Sequence, residues 1–314
     1  MFWSPEQGLA QGLREQSHEV VECGHAEFGS LAIGRRFDVV HMHHVGRANL
    51  GAWRVRSRGT TLAFTLHAGR PPQGLKAKGA YRTMSALASC IIALGPREKL
   101  MWPRRLQSKV FVVPNALNTA LFSGVSLRRT LGPTVRLLFV GSLVRVKRVD
   151  VILSAVATLR HQGLDVELTV LSHNRVHEGL LRDMALSLGI QSNLSWARAN
   201  SRDDLVNHYC SANLLVLASE SEGRPSVVSE ALMTGLPVVA PDVGEISGQV
   251  RSAGIVYALS DGGGLASAIA SAIDAYSVLS EAAVDVGRLE SQLCNPASVA
   301  AAHVDAYSRA AHVS

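Results

Sequence analysis

Two glutamates with seven residues between them, Glu222 and Glu230, stand in the stretch SESEGRPSVVSEALMTGLPVVA (219–240). Glu222 precedes a Gly-Arg-Pro turn and Glu230 falls inside a helical pattern. Pro225 suits the first helical position, because proline lacks the donor that would be orphaned there. The next N–H groups, of Ser226, Val227 and Val228, are then expected to be free to hold an anion, with the helix dipole behind them. Val227, Val228, Ala231 and Leu232 make the expected buried face. Ser226 and Glu230 share another face at i, i+4 spacing. A carboxylate beside an anion seat makes sense if it accepts hydrogen bonds from a sugar diol next to the phosphate. Glu222 would reach the other side of that group. Lys147, six residues after Gly141 on a different strand–helix loop, supplies positive charge to the same diphosphate. The set reads as a cradle for a sugar–diphosphate–nucleoside.

Elements of alternating type must position these residues. In the second half, β-branched runs at Val135–Gly141, Val166–Leu171, Leu214–Ser219, Pro237–Pro241 and Gly254–Leu259 alternate with helical stretches near 148–161, 177–188 and 225–235. The first half has apolar runs at Asp38–His44, Thr61–His67, Cys90–Gly95 and Lys109–Pro114. Continuous apolar strands alternating with helices mean parallel sheets covered on both faces. The fold class is α/β, with two doubly wound, Rossmann-like domains. The expected boundaries are 1–128, 129–295 and a last helical segment, 296–314, packing back on the first domain. Ligands in such sheets bind at the carboxyl ends of the strands. There the sequence places His43, His44 and His67 in the first half. In the second it places Ser142, Lys147, Ser172–Arg175, Glu220–Ser226 and Asp242–Glu245. The segments Ser172–Arg175 and Trp196–Asn200 are the candidates for a base pocket.

Bulk composition excludes several classes. The 314 residues are 47% hydrophobic and only 5% aromatic, which favours an α/β protein over an all-β one. No apolar run reaches the ~18 residues that span a bilayer. The start MFWSPEQG lacks the features of a signal peptide. Four scattered cysteines form no CxxC and read as free thiols in a reducing cytoplasm. Residues 1–130 carry 18 basic and 7 acidic residues, against 13 and 18 in the rest. The basic half, with clusters at Arg54/Arg56/Arg58, Lys76/Lys78/Arg82 and Arg104/Arg105, invites an anionic partner or is simply a solubilising surface. No aromatics interleave as in single-strand binders, so nucleic acid is not expected. His41 and His43 share a strand face, yet no partnering carboxylate or cysteine is expected nearby, so no metal site is expected. No GxGxxG or GxxxxGK[ST] is present.

The chain resembles the retaining GT-B glycosyltransferases of glycosyltransferase family 4. The resemblance rests on the E-x7-E of Glu222–Glu230 inside SESEGRPSVVSEALMTGLPVVAPDVGEI. It rests also on FVGSLVRVKRVDVILSA (139–155), VVPNALNTALF (112–122), DVVHMHH (38–44) and TLHAG (65–69). It implies transfer of a sugar from a nucleotide sugar, such as a UDP- or GDP-sugar, to an acceptor hydroxyl with retention at the anomeric carbon. It implies no enzymic nucleophile and no metal or other cofactor. Glu222 would contact donor-sugar hydroxyls, Glu230 the ribose diol and Lys147 the departing diphosphate. His67 matches the family histidine near the donor sugar and acceptor. Gly141, Ser142, Arg145, Ser226 and Val227 would complete the donor cradle. The implied setting is cell-envelope or extracellular polysaccharide or glycolipid synthesis in the cytoplasm. The acceptor is a sugar or lipid-linked molecule, at the cytoplasmic face of an anionic membrane.

The chain departs from the family pattern at three points. Ser142 stands where the family has arginine, and Arg145 on the same loop is the candidate substitute. GRP replaces GFG after Glu222. The first strand is expected to be absent or reduced to MFW, with residues 4–22 reading as the first helix and second strand. Two other readings stay open: a non-catalytic or partner-dependent remnant that binds nucleotide sugar, and a sugar-nucleotide epimerase of GT-B-like fold.

Overall fold

The computed structural model describes residues 4–24, 27–28, 31, 36–44, 55, 59–67, 74–122, 124–125, 128–259 and 264–311. The chain forms two compact units, one from 3–117 with 293–314, the other from 118–292. The Arg54/Arg56/Arg58 run, residues 1–3 and the end of TLHAG lie outside the described residues.

The first unit is built on four parallel strands in chain order: β1 (Val39–His43), β2 (Thr61–Thr65), β3 (Cys90–Ala93) and β4 (Val110–Val112). All four sit within the expected apolar runs. β2 and β3 are buried along their whole length, as strands covered on both faces must be. Helix α2 (Leu75–Leu87) covers one face, where Met84 joins Phe64, Ile91 and Trp102. Helices α1 (Pro5–Glu15) and α11 (Pro296–Ala311) cover the other, through Leu9, Ile92, Val113, Val299 and Ala300. A short helix, α3 (Pro96–Met101), leads from β3 towards β4.

Helix α1 starts where SPEQ supplies a reciprocal cap. Ser4 Oγ accepts from the Gln7 N–H, Gln7 Oε1 accepts from the Ser4 N–H, and Pro5 takes the first helical position. The helix passes so close to α11 that a Cβ on Gly12 would collide with the Pro296 carbonyl. The expected strand within 18–22 does not form. The segment after α1 is irregular, and Arg14 holds it locally, donating to the Val20 carbonyl and the Glu22 carboxylate. A strand needs a partner ladder, and no described strand pairs with this one.

The second unit carries six parallel strands: β5 (Val135–Val140), β6 (Val166–Leu171), β7 (Leu194–Ala197), β8 (Leu214–Val216), β9 (Val238–Pro241) and β10 (Gly254–Tyr257). Their spatial order is β10-β9-β8-β5-β6-β7. The chain winds outward from β5 to β7, returns to the middle and winds the other way from β8 to β10. That is the doubly wound order, and its switch point lies between β5 and β8. The connecting helices are α4 (Val149–His161), α5 (Glu178–Ser187), α6 (Arg202–Ser211), α7 (Ser226–Met233), α8 (Ile246–Val250) and α9 (Gly264–Asp274). The long α10 (Tyr276–Leu293) follows. On α4, Val149, Ile152, Leu153, Val156 and Leu159 are buried at helical spacing.

Candidate functional site

At the β5/β8 switch point, two strand-end loops lie side by side. The loop after β5 runs from Gly141 through a single 3-10 turn, Arg145–Lys147, to Arg148, which enters α4 from a left-handed conformation (φ 47°). The loop after β8 contains Glu220 and Glu222. The Glu220 N–H donates to the Val146 carbonyl at 2.9 Å. Arg148 donates to Glu220 at 3.0 Å and also to Asp150. Lys147 Nζ lies 2.6 Å from Glu222 Oε1, with the lysine side chain 25% exposed and the glutamate 10%. Three separate bonds therefore tie the two loops together, and Lys147 and Glu222 end up at one spot from positions 75 residues apart. Ser142 is half-buried on this loop. Arg145 is exposed, and no ion pair or hydrogen bond of its guanidinium occurs among the described residues.

A third loop joins the group. The Leu143 N–H donates to the Asn174 carbonyl, and Ser172 Oγ to the same carbonyl. Arg175 Nη2 donates to the Ala197 carbonyl at 2.9 Å, while Arg182 stacks on the Trp196 ring at 4.8 Å. The segments 172–175 and 196–197 are thus adjacent at the carboxyl ends of β6 and β7.

Helix α7 begins beside Glu222 and differs from expectation in detail. Pro225 is the N-cap, and Ser226 opens the helix. The Val228 N–H, expected to be free, donates to the Pro225 carbonyl at 3.2 Å. That leaves Ser226 and Val227 as the N–H groups with no hydrogen-bond partner among the described residues. The buried face also shifts. Ser229 is buried with Val228, Ala231 and Leu232, whereas Val227 is only half-buried. The cause is polar: Ser229 Oγ donates to Glu290 Oε2 at 2.6 Å and accepts from Gln249 at 2.9 Å. Glu230 is half-buried, on the face it shares with Ser226. Its Oε2 accepts from the Tyr209 hydroxyl at 2.6 Å. Burial pushes the Glu230 carboxyl above its ordinary value, against the lowering pull of the Tyr209 hydrogen bond. One oxygen is thereby fixed and the other is left for a further donor.

The turn that carries Glu222 is itself clamped. Arg224 forms a buried ion pair with Glu290 on α10 at 2.6 Å. The Glu245 N–H donates to the Gly223 carbonyl at 2.8 Å. Gly244 (φ 57°) lies so close that a Cβ there would strike the Glu222 and Gly223 carbonyls. The arginine of GRP thus faces inward and anchors the turn. Sequence reasoning did not single out Tyr209 or Glu290, and it put Arg224 and Gly244 on the strand-end loops without a role, since each acts through a partner distant in the chain.

His67 belongs to the first unit, whereas Lys147 and Glu222 belong to the second. It follows β2 with φ 60°, and His44 follows β1 with φ 65°. The His44 N–H to Thr65 carbonyl bond, 2.9 Å, keeps the two strand ends together. His43 Nδ1 and His67 Nε2 are 2.8 Å apart. Against expectation, a carboxylate accompanies the histidines: Glu6 Oε1, from the first turn of α1, is 3.7 Å from His67 Nε2 and 3.8 Å from His44 Nε2. His41 continues the row, bonded to Tyr307 and Thr65 at 2.8 Å each and stacked on His43. His303 on α11 is 5.4 Å from it, ring to ring. Burial, then neighbouring histidines, pulls His43 down to about 3; burial pulls His67 down to about 4 despite the pull of Glu6. Both imidazoles are neutral at pH 7.

Residues 132–284 match the family model of glycosyl transferases group 1, and this span holds the whole Gly141-to-Glu230 constellation. Sucrose-phosphate synthase from Thermosynechococcus elongatus superposes with a TM-score of 0.75 at 18% identity, over 92% of this chain and 78% of that one. Anabaena Alr3699/HepE, solved in complex with UDP-glucose, gives 0.73 at 18% identity, over 95% and 88%. The fold is GT-B. Among curated proteins, the chain is 33% identical over 153 residues to the D-inositol 3-phosphate glycosyltransferase of Nocardiopsis dassonvillei, 44% of this chain and 36% of the relative. It is 30% identical over 258 residues to that of Thermobifida fusca, 73% and 59%. The chain thus spans between about a third and three-fifths of the length of these two relatives.

Proposed function

We propose that the protein is a glycosyltransferase that moves a sugar from a nucleotide sugar to an acceptor hydroxyl with retention of anomeric configuration. The observation that carries the reading is the meeting of Lys147, Glu222, the start of α7 and Glu230 at the β5/β8 switch point. Each has a part in it. The Ser226 and Val227 N–H groups and the Lys147 ammonium hold the diphosphate and stabilise the charge that grows on it as the glycosidic bond breaks. Arg145, exposed on the same loop, adds the charge that Ser142 does not carry. The free oxygen of Glu230 takes the ribose diol, while Glu222 takes donor-sugar hydroxyls. Attack comes from the face the diphosphate leaves, with the leaving phosphate accepting the acceptor's proton, so neither an enzymic nucleophile nor a metal is assigned to the donor site. His67 serves the acceptor side.

The family match and the solved neighbours bound to UDP and UDP-glucose support a UDP-sugar as the first donor to test. The basic first half favours an acceptor carried on a lipid phosphate or an anionic membrane surface, in envelope polysaccharide or glycolipid synthesis on the cytoplasmic side. No helix among the described residues is long and apolar enough to cross a membrane.

The test is thermal-shift binding of UDP, GDP, ADP and their sugars to the wild type, Glu230→Ala and Lys147→Ala. Ligand at a hundred times its Kd stabilises by about 2.7 kcal/mol. A shift with one nucleotide, lost in both variants, is expected. Absence of any shift in a cooperatively melting protein would overturn the donor cradle. Acceptor-dependent release of nucleoside diphosphate then separates transfer from epimerisation.

A further inference from the structure

The ends of β1 and β2 and the first turn of α1 bring two imidazoles and a carboxylate to one point in the first unit. His43 Nδ1, His67 Nε2 and a Glu6 carboxylate oxygen all lie within 4.8 Å of one another. Zinc–nitrogen and zinc–oxygen bonds of about 2.0–2.2 Å at tetrahedral angles put neighbouring ligand atoms about 3.3 Å apart. The 2.8 Å between the imidazoles and the 3.7 Å from His67 to Glu6 fall on either side of that spacing. Shifts of about half an ångström would bring these two spacings to the zinc value, and the third, His43 to Glu6, lies within 4.8 Å. We propose that Glu6, His43 and His67 form a binding site for a divalent transition-metal ion, of the two-histidine, one-carboxylate type.

Two features favour a site over a plain His–His hydrogen bond. Each ligand comes from its own element: Glu6 from the capped first turn of α1, His43 from the paired strand β1, and His67 from just beyond β2, whose end is tied to β1 by the His44 N–H to Thr65 carbonyl bond. The set is reachable, since the Glu6 side chain is 33% exposed and His44 at its rim 58%. Nitrogen-rich ligands with one carboxylate suit Zn²⁺ and Co²⁺ over Mg²⁺ or Ca²⁺.

This site stands on the first unit alone and is independent of the donor reading. An ion there occupies Nε2 of His67, so binding and any acceptor-side role of that nitrogen exclude each other.

The probe is Co²⁺, then Zn²⁺, titrated into untagged, metal-stripped full-length protein. Binding is read by the visible Co²⁺ absorption and by Zn²⁺ competition against a chromophoric chelator. One ion per chain is expected. His43→Ala should abolish the stoichiometric site, and Glu6→Gln should weaken it at least about tenfold. His18→Ala, at an exposed histidine outside the cluster, should leave it unchanged. Glu6 is on a surface helix, so Glu6→Gln carries the test if His43→Ala fails to fold. No stoichiometric binding, or binding that Glu6→Gln leaves untouched, would overturn the site.

Discussion

At the residue scale, Lys147 joins the most evidence. Its ammonium meets Glu222 across 2.6 Å, on a loop pinned by the Glu220–Val146 and Arg148–Glu220 bonds. A cation fixed in advance where charge develops gains more in the transition state than in the ground state. Lys147→Ala is therefore expected to lower kcat by about 10²–10³-fold, the loss typical of one stabilising group of this kind. Steady-state rates with the donor identified by thermal shift check it. An equal kcat in variant and wild type would remove Lys147 from the chemistry. Glu230 is fixed differently, by one hydrogen bond from the hydroxyl of the buried Tyr209, which burial holds well above its usual range.

At the scale of elements, the turn before α7 depends on a glycine two loops away. Gly244 combines φ 57° with carbonyls of Glu222 and Gly223 where its Cβ would be. Gly244→Ala is expected to destabilise the second unit by about 1–3 kcal/mol, from backbone strain and local displacement. It should weaken nucleotide binding as well, because the displaced turn carries Glu222. A melting curve with and without nucleotide reads both. The histidine row makes a second prediction, for β1, β2, α1 and α11. Burial lowers His41, His43, His67 and His303 in the fold, the last to about 4. The unfolded chain takes up these protons near pH 6.5, before the fold does. Stability is thus complete above about pH 6.5 and is lost as pH falls towards 4 and below. The melting temperature should drop across this range, and His303→Gln should flatten the slope. A melting temperature constant from pH 7 to 4 would contradict it.

At the scale of the whole molecule, the charge is split by sequence half, but not all of it is available to a partner. Arg129 donates to the Tyr209, Cys210, Ala212 and Thr234 carbonyls, closing the ends of α6 and α7. Lys109 donates to the Ala88 carbonyl at the end of α2. Among the described residues of the first unit, Lys76, Lys78, Arg82, Arg104 and Arg105 are exposed and available to an anionic surface. Binding to vesicles containing anionic lipid is expected at low ionic strength and should vanish near 0.5 M salt, where the Debye length falls to about 4 Å. Cosedimentation measures it, and no binding at low salt would remove the membrane from the reading.

The sequence alone determined the α/β class, all four strands of the first sheet and five of the six in the second. Each of these reads as an apolar run between helical stretches. β7 (LSWA) escaped because it is short and only half-buried, so it carries no continuous apolar signal. Glu222, Glu230, Ser226 and Lys147 were legible because each sits at a fixed offset from a strand end or helix start, and local geometry governs such offsets. Where Val227 points was not: Ser229, Glu290 and Gln249 form a polar network inside the core and rotate the buried face of α7. The strand order also lies beyond sequence reading, since nothing local says that β8 returns beside β5. That return makes neighbours of Lys147 and Glu222. Likewise, the carboxylate that joins His43 and His67 comes from α1, 37 residues before His43 in the chain. Periodicity and spacing record what one segment does with itself. Contacts between distant segments exist only once the chain has folded back, and they decided the metal-binding constellation and the clamps on the donor loops.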